Sequence, residues 1–156
     1  MGFRESFINY LAAAYPAFYV TTHEESRAVA DITAVAAVTK RPVLFWTVTQ
    51  GWLDPAGKTV APAKDAKAAI EAVMQFPQDT IAVMKDFHPA PMIGNALIVR
   101  MLRDALPALK AHAKQIVFLS PVANIPVELE KDITVLEYSL PTRDELCRIF
   151  DEVVKA

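Results

Sequence analysis

Short apolar segments alternate with amphipathic segments along almost the whole chain, and this alternation constrains the fold more than any other feature. Five segments rich in β-branched and aromatic residues are predicted to be strands, at residues 17–21, 43–49, 80–84, 115–119 and 133–138. Helical periodicity predicts helices between most of them and at both ends of the chain. Strands and helices that alternate in this way form a parallel sheet, because right-handed crossovers place helices on both of its faces.

The sequence therefore predicts an α/β fold with three layers, αβα, around a five-stranded, mostly parallel sheet. Nearly continuous hydrophobicity of the strands agrees, because such strands are buried on both faces. A chain of 156 residues is typical of one domain, so residues 1–156 are predicted to form a single α/β domain. Residues 50–64 carry two glycines and two prolines and are predicted to be a loop inside that domain.

Composition excludes several functional classes. Hydrophobic residues make up 53% of the chain, which argues against disorder, but no apolar run is long enough to cross a membrane. A net charge of −2 does not favour nucleic acid as a partner. Cys147 is the single cysteine and cannot form an internal disulfide, which fits a reducing cytoplasm.

The carboxyl ends of the predicted strands are where a ligand would bind in an open parallel sheet. A phosphate-binding loop at this place would need glycines for its backbone turns and a lysine for its charge. Residues 21–25, which follow the first strand, contain no glycine and carry two carboxylates that would repel a triphosphate. Gly51 and Gly57 approach the pattern after the second strand, but the spacing is wrong and no helix follows at once. No cofactor is therefore predicted for this chain.

Two groups of side chains remain as candidates for chemistry or contact. His23, Asp86 and His88 follow two strands and could hold a divalent metal or perform acid–base chemistry. The simpler alternative is that Asp86 caps a neighbouring loop and His88 orders the turn at Pro89. Trp46 is predicted to be core, whereas Trp52 is predicted to be an exposed contact in the loop at 50–64.

The order of several segments resembles the amino-terminal domain of plastid- and cyanobacterial-type AAA ATPases, which precedes their ATPase core. No single segment is specific, but the ordered set covers nearly the whole chain. The segments are residues 15–20, 24–28, 41–51, 83–89, 102–104, 118–121, 126–131, 133–137 and 140–146.

The resemblance implies that this domain is a degenerate AAA module with the strand order 5-1-4-3-2. Asp86 then occupies the position of a Walker B aspartate, although Phe87 stands where the family's ATPases have a glutamate. Ser120 lies on the equivalent of the sensor strand, and residues 140–145 resemble the connection to a small helical domain. The Walker A loop is replaced by residues 21–25, so ATP and Mg²⁺ are expected only in a downstream core.

We therefore expect a non-catalytic recruitment or regulatory domain of an AAA ATPase, with the AAA core and a client protein as partners. The parent protein is expected to be an ATP hydrolase. One alternative is a stand-alone scaffold or homo-oligomerisation module that uses Trp52 and the loop at 50–64. Another is a small enzyme that uses the cleft of His23, Asp86 and His88. The candidate cleft or interaction residues are Thr22, His23, Glu24, Glu25, Arg27, Trp52, Asp86, Phe87 and His88.

Overall fold

The computed structural model describes residues 2–89, 91–138 and 143–155. The α-helices within these ranges are α1 (Phe3–Ala12), α2 (Glu25–Thr39), α3 (Ala66–Gln75), α4 (Ala96–Ala111) and α5 (Arg143–Lys155). The strands are β1 (Ala17–Thr21), β2 (Val43–Thr47), β3 (Gly51–Leu53), β4 (Thr59–Ala61), β5 (Ile81–Lys85), β6 (Gln115–Ser120) and β7 (Thr134–Leu136). A short 3-10 helix, Val127–Leu129, lies between β6 and β7.

In this part of the chain the strands form one seven-stranded sheet with the order β4-β3-β2-β5-β6-β1-β7. The run from β2 to β7 is parallel throughout, whereas β3 and β4 pair antiparallel. The predicted α/β class and mostly parallel sheet are confirmed, and the five predicted strands lie in the expected order. The predicted number of strands is wrong, because β3 and β4 extend the sheet at one edge.

Those two additional strands lie in the segment 50–64 that was predicted to be a loop. Trp52 of β3 pairs in register with Trp46 of β2, and β4 then pairs with β3. Gly51 permits the tight return, since its φ is +71° and a Cβ there would lie 2.8 Å from the Ala61 carbonyl oxygen. Strands of three residues are too short to show a period of two, which is why the sequence pattern did not reveal them.

The prediction that Trp52 is an exposed contact is also wrong. Its side chain is fully buried, and its indole N–H donates to the carbonyl oxygen of Ala69 in α3 at 3.1 Å. The ring packs edge-to-face on Phe76, with centroids 5.1 Å apart. Trp46 is buried, as predicted. A scaffold that uses Trp52 as its contact therefore has no exposed ring to offer.

The two faces of the sheet carry separate hydrophobic clusters. Alternation along β1 sends Tyr19 to the face covered by α3 and α4, and sends Phe18 and Val20 to the face covered by α1 and α2. The molecule thus has helices on both sides of the sheet, which leaves the carboxyl ends of the strands uncovered as the place for a site.

The last helix, α5, begins beyond the sheet. Phe150 and Val153, which the helical period places on one apolar stripe, are 68% and 70% exposed. The first part of the predicted connection at 140–145 lies outside the described residues. Among the helices of the described residues, none is long and apolar enough to cross a membrane.

Candidate functional site

A cavity of about 280 Å³ opens at the carboxyl ends of the three neighbouring strands β5, β6 and β1. Parallel strands end at the same edge of a sheet, so residues distant in the sequence meet there. Two of its lining residues come from the turn after β1, one begins α2, one follows β5, and three come from the end of β6. They are Thr22, His23, Glu25, Asp86, Leu119, Ser120 and Pro121.

The turn that joins β1 to α2 forms the first wall of this cavity. The backbone N–H of Thr22 donates to the carbonyl oxygen of Ser120 (3.0 Å), which extends the pairing of β1 with β6. The backbone N–H of Glu24 donates to the Thr22 hydroxyl at 2.9 Å. Both amides are therefore used inside the protein, whereas a phosphate-binding turn points its free amides at the ligand.

The beginning of α2 differs from what its local sequence pattern indicates. The spacing of Thr22 and Glu25 is typical of a capping box, but α2 starts at Glu25 with Glu24 as its N-cap and without a side-chain capping bond. The Thr22 hydroxyl instead closes a turn on the amide two residues ahead. Glu25 therefore lies at the cavity wall and not in a capping bond.

Asp86 forms the opposite wall. Its backbone N–H donates to the carbonyl oxygen of Leu119 at 2.9 Å, and its φ of +53° turns the chain at the end of β5. Aspartate tolerates this left-handed conformation better than most residues. The turn sends the next side chain, Phe87, into the core, where it stacks on Phe118 at 5.6 Å. The predicted cleft residue Phe87 is therefore a core residue, which corrects that prediction.

Ser120, which lines the cavity, belongs to a buried pair of hydroxyl groups. The Tyr19 and Ser120 hydroxyl oxygens lie 2.8 Å apart, and each lies 2.7 Å from the carbonyl oxygen of Val122. The backbone N–H of Asn124 donates to the Tyr19 hydroxyl at 3.2 Å. Ser120 is 3% exposed, and its hydroxyl is used in these hydrogen bonds. The hydroxyl therefore stabilises the fold and is not free to act as a nucleophile.

His88 lies apart from the cavity wall. Its carbonyl oxygen accepts from the Asn124 side-chain amide at 2.6 Å, which joins the loop after β5 to the loop after β6. Its Nδ1 is buried and has no hydrogen-bond partner among the described residues. His23 and Asp86 line the cavity and His88 does not. In the described part of the chain, no group of three or more His, Cys, Asp and Glu side chains is placed to hold a metal ion.

A second polar group lies beside the cavity and involves the candidate residues Glu24 and Arg27. The Arg27 guanidinium binds the Glu24 carboxylate at 2.6 Å, and its Nε donates to the Tyr138 hydroxyl at 3.0 Å. That hydroxyl donates to the Asp31 carboxylate at 2.5 Å, and Arg4 binds the other Asp31 oxygen at 2.7 Å. We call these five residues the Tyr138 cluster.

The electrostatics of the Tyr138 cluster follow from this geometry. Burial, and then the Asp31 carboxylate that accepts its proton, raise the pKa of the Tyr138 hydroxyl well above its usual range. Arg27 opposes this effect, since a nearby cation favours the ionised phenol. The Arg27 guanidinium also lies 4.5 Å from the centre of the Tyr138 ring, within the range of a cation–π contact.

Sequence reasoning missed Arg4, Asp31 and Tyr138. One signal was available, because Arg27 and Asp31 are four residues apart on a helix and therefore share a face. Nothing local connects that face to Tyr138, which lies 107 positions from Asp31 in the sequence. Tyr19 and Asn124 were missed for the same reason, since Tyr19 reads only as an apolar strand residue.

Comparison with solved structures defines the class of fold. The RuvB protein of Thermotoga maritima, in a variant form, superimposes with a TM-score of 0.59 and 12% identity, over 97% of this chain and 49% of that one. Identity this low supports the fold alone. The chain therefore has an α/β fold with a mostly parallel sheet of the kind found in AAA and P-loop proteins.

Comparison of sequences then gives the family. Residues 3–138 match the model of the SpoVK-like AAA ATPase N-terminal domain, and the chain belongs to that family. AAA domain-containing protein ycf46 of Guillardia theta is 29% identical over 94% of this chain, and that of Trieres chinensis is 27% identical over 100%. The resemblance inferred from the ordered segments is confirmed. The chain spans 29% and 32% of the length of these two curated relatives.

Proposed function

We propose that this chain is a non-catalytic recruitment or regulatory domain of an AAA ATPase and acts through contacts with other proteins. In this proposal the partners are the AAA core and a client protein, and ATP with Mg²⁺ binds to the core and not to this chain. Residues 1–156 act as one α/β unit that carries no catalytic residue. A cytoplasmic location stays a prediction.

The turn between β1 and α2 is the observation that carries the proposal. The N–H groups of Thr22 and Glu24, which would face a phosphate in a phosphate-binding turn, are bonded within the protein. Carboxylates of Glu25 and Asp86 line the same cavity. A triphosphate would therefore meet two carboxylates and a turn whose Thr22 and Glu24 amides are already bonded, and like charges repel.

Thermal unfolding with and without MgATP tests the proposal. A ligand present at about 100 times its Kd stabilises a protein by about 2.7 kcal/mol, which raises the Tm of a domain of this size by several degrees. We expect no shift in Tm with millimolar MgATP relative to MgCl₂ alone. A reproducible rise of several degrees would contradict the proposal.

The double variant Glu25→Gln, Asp86→Asn gives a matched control. It removes both cavity carboxylates without changing side-chain size, and it leaves the bonded amides of Thr22 and Glu24 in place. We expect MgATP to leave its Tm unchanged as well, because the amides of Thr22 and Glu24 stay bonded within the protein and are not available to a phosphate. Stabilisation of the variant alone would show that charge, and not the shape of the turn, excludes the nucleotide.

A further inference from the structure

We propose that Arg27 and Tyr138 form a latch that connects the turn at the mouth of the cavity to the segment that leaves β7. The latch lets a partner bound at the cavity control how firmly that segment is held. This inference rests on the proposed function, because it describes the regulation of the same site. Three sets of contacts connect the cavity to this segment.

The first contact joins the cavity to Arg27. Thr22 lines the cavity, and its hydroxyl accepts from the backbone N–H of Glu24 at 2.9 Å. The Glu24 carboxylate then binds the Arg27 guanidinium at 2.6 Å. Glu24 is half-exposed, with 47% of its side chain accessible, so a cationic group of a partner protein can compete with Arg27 for it.

The second contact joins Arg27 to Tyr138. The same guanidinium donates to the Tyr138 hydroxyl at 3.0 Å and lies over the Tyr138 ring at 4.5 Å. Because one planar group makes both sets of contacts, its position against Glu24 and its position on Tyr138 are not independent. Loss of Glu24 therefore weakens the contact with Tyr138.

The third contact holds Tyr138 on the body of the domain. Strand β7 ends at Leu136, so backbone pairing in the sheet no longer holds the chain at residue 138. The Tyr138 side chain holds it there, through its bond to Asp31 in α2 and an edge-to-face contact with Phe3 in α1 at 4.9 Å. The family match also ends at residue 138, and α5 lies beyond it. The latch thus lies at the end of the family match, between β7 and the segment that leads to α5.

Proteolysis of the Glu137–Tyr138 bond by a glutamate-specific protease tests the latch in the 156-residue chain. Glu137 is exposed, but the protease can cleave after it only when the Tyr138 side chain has left the contacts described above. When this opening is fast relative to cleavage, the cleavage rate reports the population of the open form. Mass spectrometry identifies this cut among the others. We expect Tyr138→Phe to be cleaved about ten-fold faster than wild type, because hydrogen bonds to charged groups change an opening equilibrium by about this factor.

Two matched controls make the test specific. Tyr15→Phe removes a hydroxyl from a partly exposed tyrosine outside the Tyr138 cluster, and its cleavage rate should equal that of wild type. Glu24→Gln should be cleaved about two- to five-fold faster, as expected for loss of an exposed ion pair. Glu25→Gln changes the neighbouring carboxylate, which has no ion pair among the described residues, and should leave the rate unchanged.

The proposal stands only if both pairs of variants differ in the expected direction. Equal rates for Tyr138→Phe and Tyr15→Phe would overturn the role of Tyr138, and equal rates for Glu24→Gln and Glu25→Gln would overturn the connection to the cavity. Thermal unfolding of each variant verifies that it is folded. No nucleotide is present in this experiment, so its failure is distinguishable from binding of MgATP, which would overturn the proposed function.

Discussion

The strand-end cavity and the Tyr138 cluster meet at the amino end of α2, and both contain carboxylates. They differ in whether those carboxylates have partners within the protein. In the Tyr138 cluster, Asp31 binds Arg4 at 2.7 Å and Tyr138 at 2.5 Å. In the cavity, Glu25 and Asp86 are exposed and form no ion pair with any residue that the structure describes. The carboxylates of the Tyr138 cluster therefore stabilise the fold, whereas those of the cavity are available to a ligand or partner.

Burial explains the contrast. The Asp31 side chain is only 19% exposed, so folding removes it from water and partners must replace that hydration. Exposed carboxylates keep their water and need no partner in the folded state. An unpaired, exposed carboxylate at a cavity therefore indicates a place for binding, whereas a paired and largely buried carboxylate indicates a contribution to stability.

The largest expected effect is on Asp31. Asp31→Asn should lower the free energy of unfolding by about 2 kcal/mol, because it weakens a charged hydrogen bond and an ion pair that are partly buried. Urea unfolding followed by tryptophan fluorescence measures it, since Trp46 and Trp52 are both buried. The matched control is Asp104→Asn in α4.

Asp104 also binds an arginine, Arg100, at 2.6 Å, but both side chains are more than half exposed. Its substitution should cost at most about 0.5 kcal/mol. Equal losses for Asp31→Asn and Asp104→Asn would mean that burial does not separate the two kinds of ion pair, and the comparison would fail.

A smaller effect is expected from pH. The raised pKa of Tyr138 means that the folded protein keeps this proton above pH 10, whereas the unfolded chain loses it. The folded state then binds more protons than the unfolded state, so stability falls as pH rises. The contribution of the hydroxyl is fully present below about pH 10 and is lost towards its folded pKa.

Comparison with Tyr138→Phe isolates this effect, because the other tyrosines are common to both proteins. The stability difference between wild type and the variant should be constant from about pH 7 to pH 9 and should shrink above about pH 10. Urea unfolding at a series of pH values measures it. A difference that stays constant or grows at high pH would show that Tyr138 does not hold its proton in the folded state.

Much of the fold could be predicted because its signals are local. Strands β1, β2, β5 and β6 are apolar runs of five or six residues, and alternation with helices determined that they run parallel. The place of the cavity followed from the same rule, which brought His23 and Asp86 to one edge of the sheet.

The parts that could not be predicted depend on contacts across the sequence or on single backbone angles. The local sequence beside Gly51 predicts that Trp52 is a loop residue. Its burial depends on a distant contact, because the carbonyl of Ala69 in α3 gives its indole N–H a buried partner. Phe87 reads as a neighbour of the cavity, but the positive φ of Asp86 turns it into the core. Aspartate adopts a positive φ more often than most residues, but nothing local in the sequence shows that this particular aspartate does so.

The smallest expected effect is at Asp86, and it gives the sharpest test of the contrast when set beside Asp31→Asn. Asp86→Asn makes the same chemical change at an unpaired, exposed carboxylate, and asparagine also tolerates the left-handed backbone of this position. We expect the free energy of unfolding to change by less than about 0.5 kcal/mol. A loss near that of Asp31→Asn would mean that Asp86 has a structural partner after all. Near-zero change would leave its carboxylate free for a ligand or partner, since nothing in the fold requires its charge.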